Sequence, residues 1–139
     1  MCVLHVRSKL ASFAKYLKMS RLPSYQSHEK GEISRYGKPY SDYGFSCIVS
    51  EKEWTDFEGQ IEDAIRFLRE HEDELRNLLG KYELDDIRLD FPFSSHLDED
   101  CIAQFDYLPP ELLKLAGNIG IGIELSHYVT EEYDGDPGE

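Results

Sequence analysis

One apolar stripe, running from Trp54 to Leu79, limits what this chain can fold into more than any other feature. Trp54, Phe57, Ile61, Ala64, Ile65, Leu68, Leu75, Leu78 and Leu79 recur at three- and four-residue steps, which places them along one face of an α-helix. Ser50, with Glu53 three residues on, has the form of a capping box that opens such a helix, and Gly80 supplies a stop. A helix over 51–79 is roughly 43 Å long at 1.5 Å per residue. That is more than a small domain needs, and the stripe lapses at Glu70–Glu74, so a bend is expected there. A helix with so apolar a face has to bury it against another layer.

The flanking sequence supplies that layer. Phe45, Cys47 and Val49 alternate in GFSCIVS, and Ile87, Leu89, Phe91 and Phe93 alternate with Arg88, Asp90 and Pro92, as half-buried strands do. Pro92 argues for an edge or a strand end. Ser94 to Asp100 reads as a polar turn, and Cys101 to Leu108 as the return strand of a hairpin. Pro109-Pro110-Glu111 opens a short helix. Gly117 and Gly120 bracket its exit, and Ile121, Ile123 and Leu125 mark a last strand. In front, Cys2 to Arg7 reads as a strand, and Ser8 caps a helix with Leu10, Phe13, Ala14 and Leu17 that Pro23 closes. The fold class expected is therefore α+β. It is a two-layer sandwich with a ferredoxin-like β-α-β-β-α-β core, an added N-terminal β-α unit and a long tyrosine-rich loop. Residues 1–129 form one domain, and 130–139 an acidic, frayed tail.

Charge divides the chain. Residues 1–45 hold eight Lys/Arg against three acids, net +5, and residues 46–139 hold seven against 25, net −18. An overall charge of −13 repels nucleic-acid phosphates and acidic membranes and favours cationic partners. Nothing approaches the roughly 18 consecutive apolar residues of a membrane span, and residues 1–7 do not read as a signal peptide. A cytoplasmic location is expected. Cys2, Cys47 and Cys101 form no C-x-x-C pair, and Cys47 and Cys101 read as small buried hydrophobes.

Catalytic motifs are absent: there is no G-x-S-x-G elbow, Walker loop, H-E-x-x-H or EF-hand loop. Gly117, Gly120 and Gly122 leave a helix and enter a strand, the reverse of a phosphate cradle. His71 with Glu70, Glu72, Asp73 and Glu74 reads as a solvated helix face, and His96 with Asp98 to Cys101 lacks the ligand order of a calcium loop. Asp90 and Asp106 are expected across the hairpin from each other, pointing to solvent. His5 and His127 read as structural. No catalytic residue, metal ligand or cofactor is assigned, and the chain reads as uncertain for enzymatic activity, leaning against it.

The best candidate site is the aperiodic stretch from Ser24 to Tyr43. Loops of this length are uncommon in compact domains, and tyrosines are frequent in binding patches. Tyr25, Arg35, Tyr36, Lys38, Tyr40 and Tyr43 are its candidate ligand- or partner-binding residues, unless the rings fold back over the sheet. GFSCIVS at 44–50, the Trp54-led helix, LDFPF at 89–93 and LPPELLKLAGNIGIGIELSHY at 108–128 resemble a bacterial family of small uncharacterised domains. The resemblance implies the β-α-β-β-α-β core and a bacterial source, and brings no catalytic residue. The function expected is a non-enzymatic acidic protein-binding domain for a basic partner, immunity- or antitoxin-like. The alternative is a small-molecule or metal-binding domain, or an enzyme, with a pocket under residues 25–43. Self-association into a homo-oligomer through the opposed charges is a third expectation.

Overall fold

The first strand sets the two faces of the sheet. In β1 (Cys2–Ser8) the side chains of Cys2, Leu4 and Val6 are fully buried, while His5 and Arg7 between them are half-exposed. In the computed structural model, which describes residues 1–128, β1 is followed by α1 (Phe13–Met19), β2 (Ser24–His28), β3 (Tyr43–Ser50) and α2 (Phe57–Glu70). Then come α3 (Glu72–Lys81), β4 (Asp86–Ser94), α4 (Pro110–Ile119) and β5 (Gly122–Tyr128). The described strands form one mixed sheet in the order β2-β3-β1-β4-β5. β1 pairs antiparallel with both β3 and β4, β2 pairs antiparallel with β3, and β4 and β5 run parallel. A parallel pair needs a crossover, and α4 provides it.

One face of the sheet is apolar and takes the helices. Leu4, Val6, Phe45, Cys47, Leu89 and Phe91 meet Phe13 of α1, Ile61 and Leu68 of α2, Leu75 of α3 and Leu112 of α4 in one contiguous core. The α+β class and the two-layer arrangement are thus as the sequence implies. The ferredoxin-like strand order is not, because residues 101–108 form no strand. Beyond β1, the edge of β4 that a return strand would need is occupied by β5. The chain after Ser94 is turned by Asp98, whose carboxylate accepts from the backbone N–H of Asp100 and Cys101 at 2.8 and 2.7 Å. Gln104 then fixes its course, donating to Ser94 O and accepting from His96 N. Asp90 consequently faces Ser126, whose hydroxyl donates to it, rather than Asp106.

The long stripe is helical but starts later than Ser50 and Glu53 suggest. The hydroxyl of Ser50 donates to the Asp63 carboxylate at 2.7 Å and accepts from Lys52 N rather than from Glu53 N, so it does not form the capping box. Asp56 is the N-cap instead, accepting from Gly59 N at 2.9 Å. Trp54 lies ahead of the helix, 40% exposed, its ring 4.7 Å from that of Tyr128. The expected bend falls at His71 (φ −108°, ψ 14°), which separates α2 from α3. Gly80 stays within α3. Likewise α1 begins at Phe13 rather than next to Ser8, whose hydroxyl donates to Glu83 O. Gly120, at φ +102°, ends α4 in a conformation that glycine adopts without strain. Pro92 lies in β4, an interior strand, but past Asp90, where the ladder with β1 has ended. The acidic tail expected over 130–139 lies outside the described residues.

Removing the observed cap separates the two versions of this helix start. Asp56→Ala is expected to lower unfolding stability by about 1 kcal/mol. Glu53→Ala, which removes only the unformed box, should stay within about 0.5 kcal/mol of wild type. Urea melts of the two variants check this.

Candidate functional site

The aperiodic stretch folds as a small irregular hairpin between β2 and β3. Gly31 N donates to Tyr40 O, Tyr40 N to Glu32 O and Ser34 N to Lys38 O, with Ile33 bridged to Pro39. Gly37, at φ +81°, makes its tip. There Tyr36 is 67% exposed, with the Arg35 guanidinium 5.2 Å from its ring centre, and Lys38 is exposed beside them. Tyr40 turns inward instead, its ring stacked on His28 at 3.8 Å, a spacing that leaves no gap between the two rings. Tyr43 begins β3 and packs against the core. Tyr25, on β2, lines a cleft of about 670 Å³ with Pro23, Asp63, Arg66, Phe67 and Glu70. The six candidate residues therefore split: Arg35, Tyr36 and Lys38 stand together, and Tyr25, Tyr40 and Tyr43 each go elsewhere.

The helix-free face of the sheet is polar. His28 Nε2 lies 2.6 Å from Asp42 Oδ1, and Arg7 Nη1 lies 3.2 Å from the same nitrogen and 3.8 Å from that oxygen. A carboxylate only accepts, so the short contact requires the proton on Nε2, with Arg7 completing a charged cluster. His5 Nδ1 meets Ser46 Oγ at 3.0 Å, and Arg88 bridges Asp86 and Glu124. His5 titrates below its ordinary value because it is partly buried and because Arg88 stands beside it; Arg7 adds to this, and Asp90 and Glu124 oppose it. These groups orient and neutralise one another, and among the described residues the hydrogen-bonding and ionic partners of the His28 ring are Arg7 and Asp42.

Gly44 allows this packing. A Cβ there would stand 2.7 Å from His28 Cε1 and 2.9 Å from Val6 O. Cys47 is buried as expected and is pushed up to about 12 by that burial, and Cys2 is raised in the same way. Cys101 is half-buried and donates to Ala103 O. Among the described residues, no three His, Cys, Asp or Glu side chains stand close enough to hold a metal ion.

A surface that the sequence does not announce lies between α2 and the residues leading into α4. Phe57, Ile61 and Ile65 form its floor, Phe105, Tyr107 and Pro109 one wall, and Asp56, Glu58, Glu62 and Asp106 its charge, enclosing about 480 Å³. Phe105 is 91% exposed, Ile102 89% and Tyr107 71%. The alternation of Cys101–Leu108 is the signal that marks these residues, but it reads as a buried strand. No family model, curated protein or solved structure matches this chain, so the resemblance of residues 44–50, 89–93 and 108–128 brings no functional residue to these surfaces.

Two variants test the polar face. Gly44→Ala, which forces a side chain between His28 and β1, is expected to cost about 1–3 kcal/mol of stability by chemical denaturation. For His5, the lowered value means that the unfolded chain takes up its proton first. Stability from this residue is intact above about pH 6.5 and is lost as the pH falls through the folded value. His5→Gln should therefore show a shallower fall in Tm between about pH 6.5 and pH 5 than wild type; equal slopes would refute the assignment.

Proposed function

We propose that this chain is a non-enzymatic, acidic binding domain of the bacterial cytoplasm whose partner is a basic protein, in the manner of an immunity protein or antitoxin. The observation that carries the reading is the exposed set Ile102, Phe105 and Tyr107 lying among Asp98, Glu99, Asp100 and Asp106. Exposed apolar clusters rimmed by polar residues mark interaction sites, and a rim of one charge steers the approach of the opposite one. The −18 of residues 46–139 acts in the same direction at longer range. The +5 of the basic front third offsets it only in part, leaving −13. Among the described residues, Arg7 is the one Lys or Arg of residues 1–45 in an ion pair, and its partner Asp42 belongs to that same third.

The alternative, a ligand pocket under residues 25–43, has less support. Tyr40 rests directly on His28, and Arg35, Tyr36 and Lys38 project from the hairpin tip without lining the clefts beside Tyr25 or α2. That tip is better suited to a further protein contact than to enclosing a small molecule.

The test is capture by the full chain, with the retained protein identified by mass spectrometry. A basic partner is expected, held at about 50 mM salt and released by about 500 mM, as screened charges require. Phe105→Ser should weaken binding of that partner about tenfold or more. Retention of only acidic or neutral proteins, or equal retention at both salt concentrations, contradicts the reading.

A further inference from the structure

We infer that the groove between α2 and residues 105–109 seats a lysine- or arginine-rich amphipathic segment of the partner, an inference that rests on the reading above and gives it a location. The groove has an apolar floor in Phe57, Ile61 and Ile65 and carries four acids, Asp56, Glu58, Glu62 and Asp106, with no Lys or Arg in its lining. An occupant with apolar side chains alone would leave those carboxylates facing an uncharged surface. One with cations alone would leave Phe105 and Tyr107 in water. Only a segment with both satisfies the site.

Length follows from the same residues. From Phe57 to Ile65 the groove follows about 12 Å of α2, a little over two turns. Its continuation past Ile65 is lined by Glu62, Arg66, Arg69, Glu70 and Glu111, where Arg66 is paired with Asp63 and the Arg69–Glu111 ion pair spans from α2 to α4. Among the described residues no Lys or Arg pairs with Asp56, Glu58, Glu62 or Asp106, so the occupant's cations are drawn to that stretch. The α2 backbone is already bonded within its own helix, so recognition falls to side chains, as when an amphipathic helix lies in a groove with anchors at i, i+4 and i+7.

The probe is a synthetic helix-forming peptide of leucine and lysine, about four turns long, titrated into the full isotope-labelled chain at low salt. A leucine–glutamate peptide of the same pattern is the control. Amide shifts confined to residues 55–65 and 105–108, seen with the lysine peptide alone, are expected. Glu58→Lys, Glu62→Lys and Phe105→Ser, all at exposed positions, should each weaken it about tenfold. Glu124→Lys, the same charge change on the sheet's polar face, should weaken it less than about twofold.

Equal loss from Glu124→Lys would show attraction to the overall charge and overturn the assignment, as would shifts mapping elsewhere. Shifts in the same groove that grow with protein concentration and vanish in Tyr36→Ser would give it to the hairpin tip of a second copy, with the same consequence. The two readings fail separately. If the groove variants still capture a basic partner at full strength, the groove falls and the binding function stands. If the peptide seats in the groove but no basic partner is ever captured, the function falls and the site stands.

Discussion

Residues Val3 to Arg7 are hydrogen-bonded along both edges, to β3 on one side and β4 on the other, and the rest of the molecule is arranged around that double pairing. The register places Leu4 between Cys47 and Leu89, and Val6 between Phe45 and Ile87. Three strands thereby present their apolar side chains to one face, and all four helices contribute to the core built there. The same register sends His5 and Arg7 to the other face, where Ser46, His28 with Asp42, and the neighbouring Arg88 receive them. A slip of one residue would exchange the two sets, burying a guanidinium and exposing Leu4 and Val6. The core and the polar face are thus consequences of one alignment.

Features that depend on a single segment were legible in the sequence. The stripe through Ile61, Ala64 and Leu68 is a property of those residues alone, and so are Pro110 and Gly120 at the ends of α4 and the break near His71. Features that depend on a distant neighbour were not. Ser50 has the chemistry of a cap, but its hydroxyl is oriented by Asp63, thirteen residues on, and accepts from Lys52 N instead of a helix-end N–H. Cys101–Leu108 has the alternation of a strand, yet a strand needs an open edge, and β5 occupies the one beside β4. The hairpin over 29–42 has no apolar period because main-chain bonds hold it together. Tyrosine density located that hairpin as unusual without telling that Tyr36 points out and Tyr40 in, since their directions depend on the tip and on His28.

The groove beside α2 belongs to the second kind. Its two sides come from segments about forty residues apart, each unremarkable by itself: the acidic flank of an amphipathic helix, and a short apolar run before two prolines. What makes them a surface is that Gln104 ties the run to the end of β4 and so holds it beside the helix. Among the described residues, the cations of the hairpin tip and of α1 form no ion pairs with the acidic part.

The central place of β1 has a consequence for the order in which the chain emerges during synthesis. Its partners in β3 follow after about forty residues, but Val6 meets Ile87 only after about eighty. At typical translation rates of about 5–20 residues per second, the roughly forty residues between β3 and β4 leave roughly 2–8 s in which β1 and β3 can pair while β1's other edge stays open. An apolar strand with an open edge is a template for wrong pairings. The arrival of Asp86–Asp90 both completes the sheet and closes that edge, so substitutions that delay β4 act on yield from the ribosome before they act on the stability of the finished fold.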